Sequence, residues 1–502
     1  MKYQSSRGKY SGITSAQAIK MGISPDGGLF VPDFIPSLNL ENIEELSQLT
    51  YQERANYIFA NYLTDFTNDE IEHCVNSAYN THNFDDERIA PIIQLNNTTY
   101  IQELWHGPTC AFKDMALQIL PYFLSVSRQK TGEKSDIVIL VATSGDTGKA
   151  ALEGFKDVEG TKIIVFFPED GVSEVQKQQM ITQEGNNVFV SAVKGNFDDA
   201  QSGVKNMFSN MQVAEILNKN NKKLSSANSI NWGRLLPQIV YYISAYIDLR
   251  TQGNIAKGEK INFVVPTGNF GNILAGFYAM KMGVPINKLI CAANANNVLT
   301  EFINTGTYNK NRNFEKTLSP SMDILISSNL ERLLYELTNH DSIKVSKWME
   351  ELKDSGIYKI DEQIHDKIKQ IFWSDYSTDQ ETLDTIKECW EKDHYLLDTH
   401  TAVAKDVYEK YTKETKDATK TVIISTASPY KFGSSVAKAV LDKEVINNKN
   451  EFEILNILKE KTNIKIPEGL KNLDKREIRH TWVSTRDELE KTVLNFLNIK
   501  DK

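Results

Sequence analysis

Short apolar runs that alternate with amphipathic stretches dominate the chain from about residue 96 onward. The predicted strands are residues 99–102, 136–142, 162–167, 187–193, 261–265, 288–292 and 421–425. Apolar positions recur at helical spacing in residues 115–126, 149–155, 232–250, 384–390 and 401–411. Strands that alternate with helices in this way predict an α/β protein with mostly parallel sheets.

The spacing of these elements predicts two α/β lobes and two flanking regions. The first region lacks the alternation and carries helical patterns such as residues 39–63, whereas the last is charged and helical in pattern. The predicted divisions are an N-terminal domain of residues 1–95, a large lobe of residues 96–145 and 259–440, a small lobe of residues 146–258, and a peripheral tail of residues 441–502. A chain of 502 residues is long enough for several such units.

Composition and charge exclude several classes of function. The net charge of −9 comes without a basic block, so the electrostatic footprint of a nucleic-acid-binding protein is missing. The longest apolar runs, residues 137–142 and 163–167, are far too short to span a membrane. The first residues are polar and contain no apolar core of a secretion signal, which predicts a cytoplasmic protein.

The cysteines and histidines predict neither a disulfide framework nor a metal site. The four cysteines are scattered without CxxC spacing. His73 and His400 lack a second ligand at a recognisable spacing. His106 precedes a Gly-Pro turn, and we expect it to make structural hydrogen bonds.

A lysine occupies an unusual position at residue 113. The run from His106 to Asp114 contains a Gly-Pro turn that delivers Lys113 to the start of an apolar helix. The helix dipole disfavours a cation there, and the apolar neighbours Phe112 and Met115 would help to lower the pKa of its amine by desolvation. Such an amine could form an imine with a carbonyl cofactor. The alternative is a solvated surface lysine, the commoner state of this residue type.

Three predicted strands end in residues that suit anionic ligands. Residues 143–148 (Thr-Ser-Gly-Asp-Thr-Gly) separate a strand from a helix, an arrangement that binds carboxylate or phosphate but also occurs as an ordinary capped turn. Residues 266–272 contain Gly268 and Gly271, which allow backbone N–H groups to converge on phosphate. Residues 425–431 follow a third strand, and open α/β sheets bind ligands at such ends. Together with one lysine, these turns suit pyridoxal phosphate, which has both a phosphate and an aldehyde.

In ordered agreement over most of its length, the chain resembles threonine synthase of the longer, bacterial and fungal type. This family consists of fold-type II, tryptophan synthase β-like, pyridoxal-phosphate enzymes. The segments that carry the resemblance are residues 3–8, 25–32, 106–114, 143–148, 228–234, 268–272, 319–323, 327–332 and 425–432. The chain departs from the family at Ser428 and Tyr430, where His and Ala are usual, and at Asn297, where Asp is common.

The resemblance implies roles for individual residues. It makes Lys113 the catalytic lysine that holds the cofactor as a Schiff base and places Thr426 opposite the pyridine nitrogen. The residues that it implies around the cofactor phosphate are Gly268, Asn269, Phe270, Gly271 and Asn272. The turn that it implies for the substrate carboxylate contains Ser144, Gly145, Asp146 and Thr147. A second phosphate, that of the substrate, needs a cation, and the candidates are Arg234, Arg332 and Lys431.

The implied reaction converts O-phospho-L-homoserine and water to L-threonine and phosphate by γ-elimination and β-hydration. The implied protein acts on this small molecule as a monomer or homodimer, without nucleic acid, membrane or metal. Two alternatives stay open at this stage. One is another fold-type II lyase, such as a serine or threonine dehydratase, and the other is a catalytically silent homologue that binds the cofactor.

Overall fold

Two sheets, one parallel throughout and one parallel except at one edge strand, form the frame of the molecule. The computed structural model describes residues 1–143, 145–169, 172–195 and 197–499. The strands are β1 (Tyr3–Ser5), β2 (Phe30–Pro32), β3 (Ile92–Gln94), β4 (Thr99–Glu103), β5 (Asp136–Ala142), β6 (Thr161–Pro168), β7 (Val188–Val193), β8 (Lys222–Ser225), β9 (Ile261–Pro266), β10 (Ile286–Ala293), β11 (Thr307–Asn309), β12 (Ile357–Lys359), β13 (Phe372–Tyr376), β14 (Thr421–Ser425) and β15 (Trp482–Ser484). The seven predicted strands are all present, so the α/β prediction is confirmed.

Helices cover both sheets and build the flanking regions. They are α1 (Ser15–Met21), α2 (Leu40–Leu46), α3 (Tyr51–Tyr62), α4 (Asn68–Ala78), α5 (Asp114–Leu117), α6 (Leu120–Lys130), α7 (Asp146–Phe155), α8 (Glu174–Ile181), α9 (Phe197–Ser209), α10 (Met211–Lys219), α11 (Trp232–Thr251), α12 (Gly271–Met282), α13 (Val298–Thr305), α14 (Leu330–Leu337), α15 (Ser342–Asp354), α16 (Glu362–Ile371), α17 (Asp379–Asp393), α18 (Thr399–Thr415), α19 (Gly433–Val440), α20 (Lys443–Ile446), α21 (Glu451–Thr462) and α22 (Leu489–Phe496). None of the described helices is both long and apolar enough to cross a membrane.

The larger sheet has six strands in the order β13-β10-β9-β14-β4-β3. All neighbours are parallel except β3, which runs antiparallel to β4 at the edge. The central strands β9 and β14 are buried along their whole length, as expected for a parallel sheet covered on both faces. Their carboxyl ends lead into the glycine turn and the residues around Thr426.

The smaller sheet has five parallel strands in the order β15-β7-β6-β5-β8. The strands of this sheet do not follow the predicted lobe boundaries. The residues of β5 fall in the predicted large lobe, but β5 pairs with β6 and β8 in the smaller sheet. Strand β15 lies in the predicted helical tail, yet it pairs with β7 as an edge strand. Pairing between distant strands cannot be read from local patterns, and this explains both differences.

Two helical predictions split into pairs of helices. The pattern over residues 115–126 forms α5 and α6, and Pro121 lies in the first turn of α6, where its missing N–H is tolerated. The pattern over residues 39–63 forms α2 and α3, and Thr50 starts α3 with a reciprocal capping box to Glu53.

The long helix α11 connects the two sheets. Nearly all of its residues are buried, and it packs against α3, α5 and α12. Asn231 begins the helix by accepting the Gly233 N–H with its side chain. This start places Arg234 in the first turn of α11, deep inside the molecule.

Candidate active site

The reactive candidate Lys113 lies at the carboxyl end of β14. The Phe112 N–H donates to the Thr426 carbonyl at 2.8 Å, and Ala111 pairs with Ala427 in an isolated antiparallel bridge. These contacts fix the segment before α5, so that Lys113 lies at the start of that helix, as predicted, without a capping hydrogen bond from its side chain. Its amine lies 4.8 Å from the centre of the Phe112 ring, and 12% of its side chain is exposed. Lys113 is therefore not a solvated surface lysine.

The carboxylate of Asp146, at the start of α7, faces the Lys113 amine. Asp146 Oδ2 lies 3.5 Å from Lys113 Nζ and accepts the Ser321 hydroxyl at 2.9 Å. Asp146 Oδ1 lies 3.2 Å from Lys431 Nζ and accepts from Gln176 Nε2 at 3.0 Å. Both carboxylate oxygens are thus engaged by donors that come from separate parts of the chain.

Burial and charge set the proton affinities of this cluster. Burial lowers the pKa of the Lys113 amine; Asp146 opposes that shift, and the nearby charges of Lys431 and Arg234 add to it. Burial disfavours ionised Asp146, but Lys431 and Lys113 outweigh it and hold the pKa of the carboxyl well below its ordinary value. A lysine with a lowered pKa beside a permanent carboxylate suits an amine that must exchange protons near neutral pH.

The glycine turn after β9 approaches this cluster closely. Phe270 adopts a left-handed conformation with φ of 61°, which turns the backbone into the start of α12 without a side-chain cap. A Cβ atom at Gly268 would lie 2.8 Å from the Ser321 carbonyl oxygen. Since the Ser321 hydroxyl lies 3.4 Å from Lys113 Nζ, the turn and the lysine border the same space.

Neighbouring side chains hold the glycine turn in place. The Ser327 hydroxyl donates to the Gly268 carbonyl at 2.8 Å, and Asn329 donates to the Asn269 carbonyl from both its backbone and its side chain. The first N–H groups of α12 have no acceptor within the helix, as at any helix start, and can donate to a ligand there.

Arg332, one of the three candidate cations, supports this turn from behind. Its guanidinium donates to Asn329 Oδ1 and to the carbonyls of Phe30 and Ile230, and the residue is fully buried. Lys431 is occupied in a similar way, since its amine donates to the Thr109 carbonyl at 2.7 Å as well as to Asp146. Arg234 differs, because its buried Nε has no partner among the described atoms while its NH1 donates to the Ala227 carbonyl at 2.5 Å.

The predicted carboxylate turn is described only in part. Ser144 lies outside the described residues. Thr143, just before it, accepts the N–H groups of Gly145 and Gly148 at 3.0 Å each, which shapes the start of α7. Asp146 is buried and Thr147 is half-buried.

Three models of protein families match the chain in sequence. They are described as "Threonine synthase N terminus" over residues 2–79, "Pyridoxal-phosphate dependent enzyme" over residues 84–357, and "Threonine synthase, C-terminal" over residues 401–493. A threonine synthase of Schizosaccharomyces pombe is 37% identical over 474 residues, which cover 88% of this chain and 89% of that protein. The chain belongs to the threonine synthase family.

Further relatives of the family agree in fold and in sequence. Human threonine synthase-like 1 is 40% identical over 448 residues, 87% of this chain, but the match spans only 59% of the human protein. A crystal structure of pyridoxal-phosphate-bound threonine synthase from Brucella melitensis superposes with a TM-score of 0.87 at 35% identity and covers 99% of both chains. The predicted fold-type II architecture is therefore confirmed.

The residues present fit the family's cofactor, pyridoxal phosphate. Asn272 Oδ1 accepts the hydroxyls of Tyr241 and Tyr242 at 2.5 and 2.8 Å, whereas its buried Nδ2 has no partner among the described atoms. This free donor and the first N–H groups of α12 form a cradle suited to phosphate. The Lys113 amine borders the same space, and an amine is the group with which an aldehyde condenses.

The sequence patterns predicted no role in the site for His400 or for Ser321. His400 has no second metal ligand at a recognisable sequence spacing, but its buried ring packs against Phe432 at an interplanar angle of 54°, and its Nε2 accepts the Ser321 N–H at 3.2 Å. Its Nδ1 lies 3.1 Å from Asp398 Oδ1, which assigns the ring proton to that nitrogen. The local sequence signal for this position is the Asp-Thr-His triplet at 398–400, in which an aspartate that can cap a helix is followed by a histidine in the first turn.

We expect His400→Gln to retain more activity than His400→Phe. Glutamine can still accept the Ser321 N–H, whereas phenylalanine keeps the ring against Phe432 but leaves that donor unpaired, at a cost of about 1 to 3 kcal/mol. Steady-state kinetics of both variants provide the measurement. The reverse order would show that the ring matters only for packing.

We expect Gly268→Ala to lower the stability of the cofactor-free protein by about 1 to 3 kcal/mol, because the new methyl group overlaps the Ser321 carbonyl. Gly271→Ala is the matched control in the same turn, since its nearest neighbour, Asn329 Nδ2, would lie at an ordinary contact distance of 3.4 Å. Denaturant unfolding of both variants gives the comparison. Equal loss in the two would contradict the close approach of Gly268.

Among the described residues, no group of three or more His, Cys, Asp or Glu side chains is arranged to hold a metal ion. His106 instead bridges two carboxylates, with Nδ1 2.6 Å from Asp85 and Nε2 2.9 Å from Glu103. Burial opposes its protonation, but these two partners outweigh that effect and raise the pKa of His106 to about 9. The ring is thus a structural bridge.

Proposed function

We propose that this protein is a threonine synthase that converts O-phospho-L-homoserine and water to L-threonine and phosphate. The observation that carries the proposal is the position of the Lys113 amine, 3.5 Å from the buried carboxylate of Asp146 and bordering the same space as the glycine turn. When bound, pyridoxal phosphate supplies an electron sink for the bonds broken at the α- and β-carbons of the substrate.

Lys113 provides the proton chemistry in this proposal. Its Nζ would hold the cofactor, and the same amine would accept the proton from the substrate α-carbon. Burial lowers the pKa of this amine, which favours the unprotonated form that can accept a proton. The Ser321 hydroxyl, 3.4 Å away, orients the amine within the cluster.

Arg234 is the residue that we assign to the phosphate of the substrate. All three candidate cations donate to protein carbonyls, but Arg234 also has a buried donor, its Nε, without a partner among the described atoms. Its positive charge also lowers the pKa of the Lys113 amine. A planar guanidinium suits a dianionic phosphate ester.

The remaining assignments follow the arrangement of the turns. The Thr426 side chain, beside the Lys113 segment, would face the pyridine nitrogen as a neutral hydroxyl, and residues 268–272 would hold the cofactor phosphate. The backbone of the 144–147 turn would bind the substrate carboxylate. A cytoplasmic location and a monomeric or homodimeric state belong to the same proposal.

Phosphate release from O-phospho-L-homoserine, with threonine identified as the product, tests the proposal. We expect one phosphate for each threonine formed. Ammonia and a keto acid from serine or threonine, without phosphate chemistry, would instead identify a dehydratase. Bound cofactor without turnover of either substrate would identify a silent homologue.

A further inference from the structure

We propose that Asp146 is a positioning residue whose carboxylate is the counter-ion of the Lys113 nitrogen, and that Lys431 weakens this pairing by competing for the same carboxylate. The inference rests on the proposed function for its use in catalysis. The predicted role of this residue was to bind the substrate through the 144–147 turn, and a counter-ion role goes beyond that.

The geometry separates the two oxygens of the carboxylate. Oδ2 faces Lys113 Nζ at 3.5 Å and accepts the Ser321 hydroxyl at 2.9 Å. Oδ1 faces Lys431 Nζ at 3.2 Å and accepts from Gln176 at 3.0 Å. The side chains of Asp146 and Lys431 are 4% and 0% exposed, so that water screens these interactions only weakly.

An ionised carboxylate is a poor partner for a second carboxylate. Asp146 has acceptors alone, and both of its oxygens already receive donors. Its side chain is therefore not suited to bind the carboxylate of an amino-acid substrate, a task left to the N–H groups of its turn. It is suited to stabilise positive charge on Lys113 Nζ, whether this nitrogen is a free ammonium or is joined to the cofactor and protonated.

The charges around the pair come from several elements. Lys431 lies in the 3₁₀ turn Pro429–Phe432, Arg234 in α11 and His400 in α18, where Asp398 backs the histidine. The charged or titratable groups that act on Lys113 or Asp146 are Lys431, Arg234 and His400. Asp146 is the carboxylate in direct contact with Lys113 in the part of the chain that the structure describes.

The two partners of Asp146 should shift the titration of Lys113 in opposite directions. Asp146→Asn removes the negative charge beside the nitrogen and should lower the pH at which it loses its proton by about 1 to 3 units. Lys431→Met removes a positive charge and frees Asp146 for Lys113, so it should raise that pH. If Asp146 and Lys431 served only in packing, the two variants would not shift the titration of Lys113 in opposite directions.

The test is a pH titration of the visible absorbance of the purified holoenzyme, without substrate, for the parent and both variants. Lys431→Arg, which keeps the charge, is the control and should titrate near the parent. If the absorbance of the parent does not change up to pH 10, the proposal requires that the absorbance of Asp146→Asn change below pH 10. Circular dichroism and cofactor stoichiometry establish that each variant is folded and loaded.

Opposite shifts for Asp146→Asn and Lys431→Met support the counter-ion role. Coincident titrations, shifts in the same direction, or the absence of a transition in Asp146→Asn overturn it. Because no substrate is present, these outcomes are independent of the phosphate-release assay. The proposed reaction and the counter-ion role can therefore fail separately.

Discussion

Replacing Lys113 with alanine is expected to reduce phosphate release from O-phospho-L-homoserine by about a thousandfold or more. The variant loses both the amine that holds the cofactor and the base that moves the proton, and general base catalysis alone contributes about 10² to 10⁴ in rate. The change should not unfold the protein, because it removes a cation from a site where burial disfavours its charge. Continuous phosphate detection at saturating cofactor gives the measurement.

A surface lysine is the matched control for this prediction. Lys347→Ala removes an amine whose side chain is 74% exposed, and its ion pair with Glu351 is too exposed to matter for the site. Borohydride reduction of the parent holoenzyme, followed by peptide mapping, should place the cofactor on the peptide that contains Lys113. A label on another lysine, or an active Lys113→Ala variant, would refute the assignment.

Replacing Arg234 with methionine is expected to lower kcat/KM for O-phospho-L-homoserine by a factor of about 30 or more. Loss of one partner from a buried, hydrogen-bonded charge pair costs about 2 to 5 kcal/mol. Burial lowers the pKa of Arg234 to about 10, so the free protein already carries a cost for this cation. The thermal midpoint of the cofactor-free variant should therefore be unchanged or higher, although activity falls.

Two further measurements separate a substrate role from a cofactor role for Arg234. If the guanidinium binds the substrate phosphate, the methionine variant keeps its affinity for pyridoxal phosphate, and Arg234→Lys recovers part of the lost activity. A matching loss of cofactor affinity would move Arg234 to the cofactor phosphate. Full activity in the methionine variant would remove it from both sites.

The local sequence determined most of the secondary structure and the positions of the turns. Buried strands such as β9 and β14 were visible from their apolar centres, residues 263–265 and 422–424, because a parallel sheet covered on both faces leaves no polar side. The glycine turn was visible because Gly268 and Gly271 directly follow such a strand. The segment around Lys113 was visible because a lysine among apolar residues at a helix start is unusual.

Only the tertiary structure determined which distant residues contact these turns. Ser321 lies 208 residues after Lys113 and 175 residues after Asp146, yet it contacts both, and His400 reaches it from α18. Strand β15 joins the small sheet from the last part of the chain. Hydrophobic periodicity specifies which face of an element is buried. It does not show which polar side chains from distant parts of the chain are buried next to each other. The ion pair of Lys113 with Asp146, and the competition by Lys431, exist only because folding brings these charges together away from water.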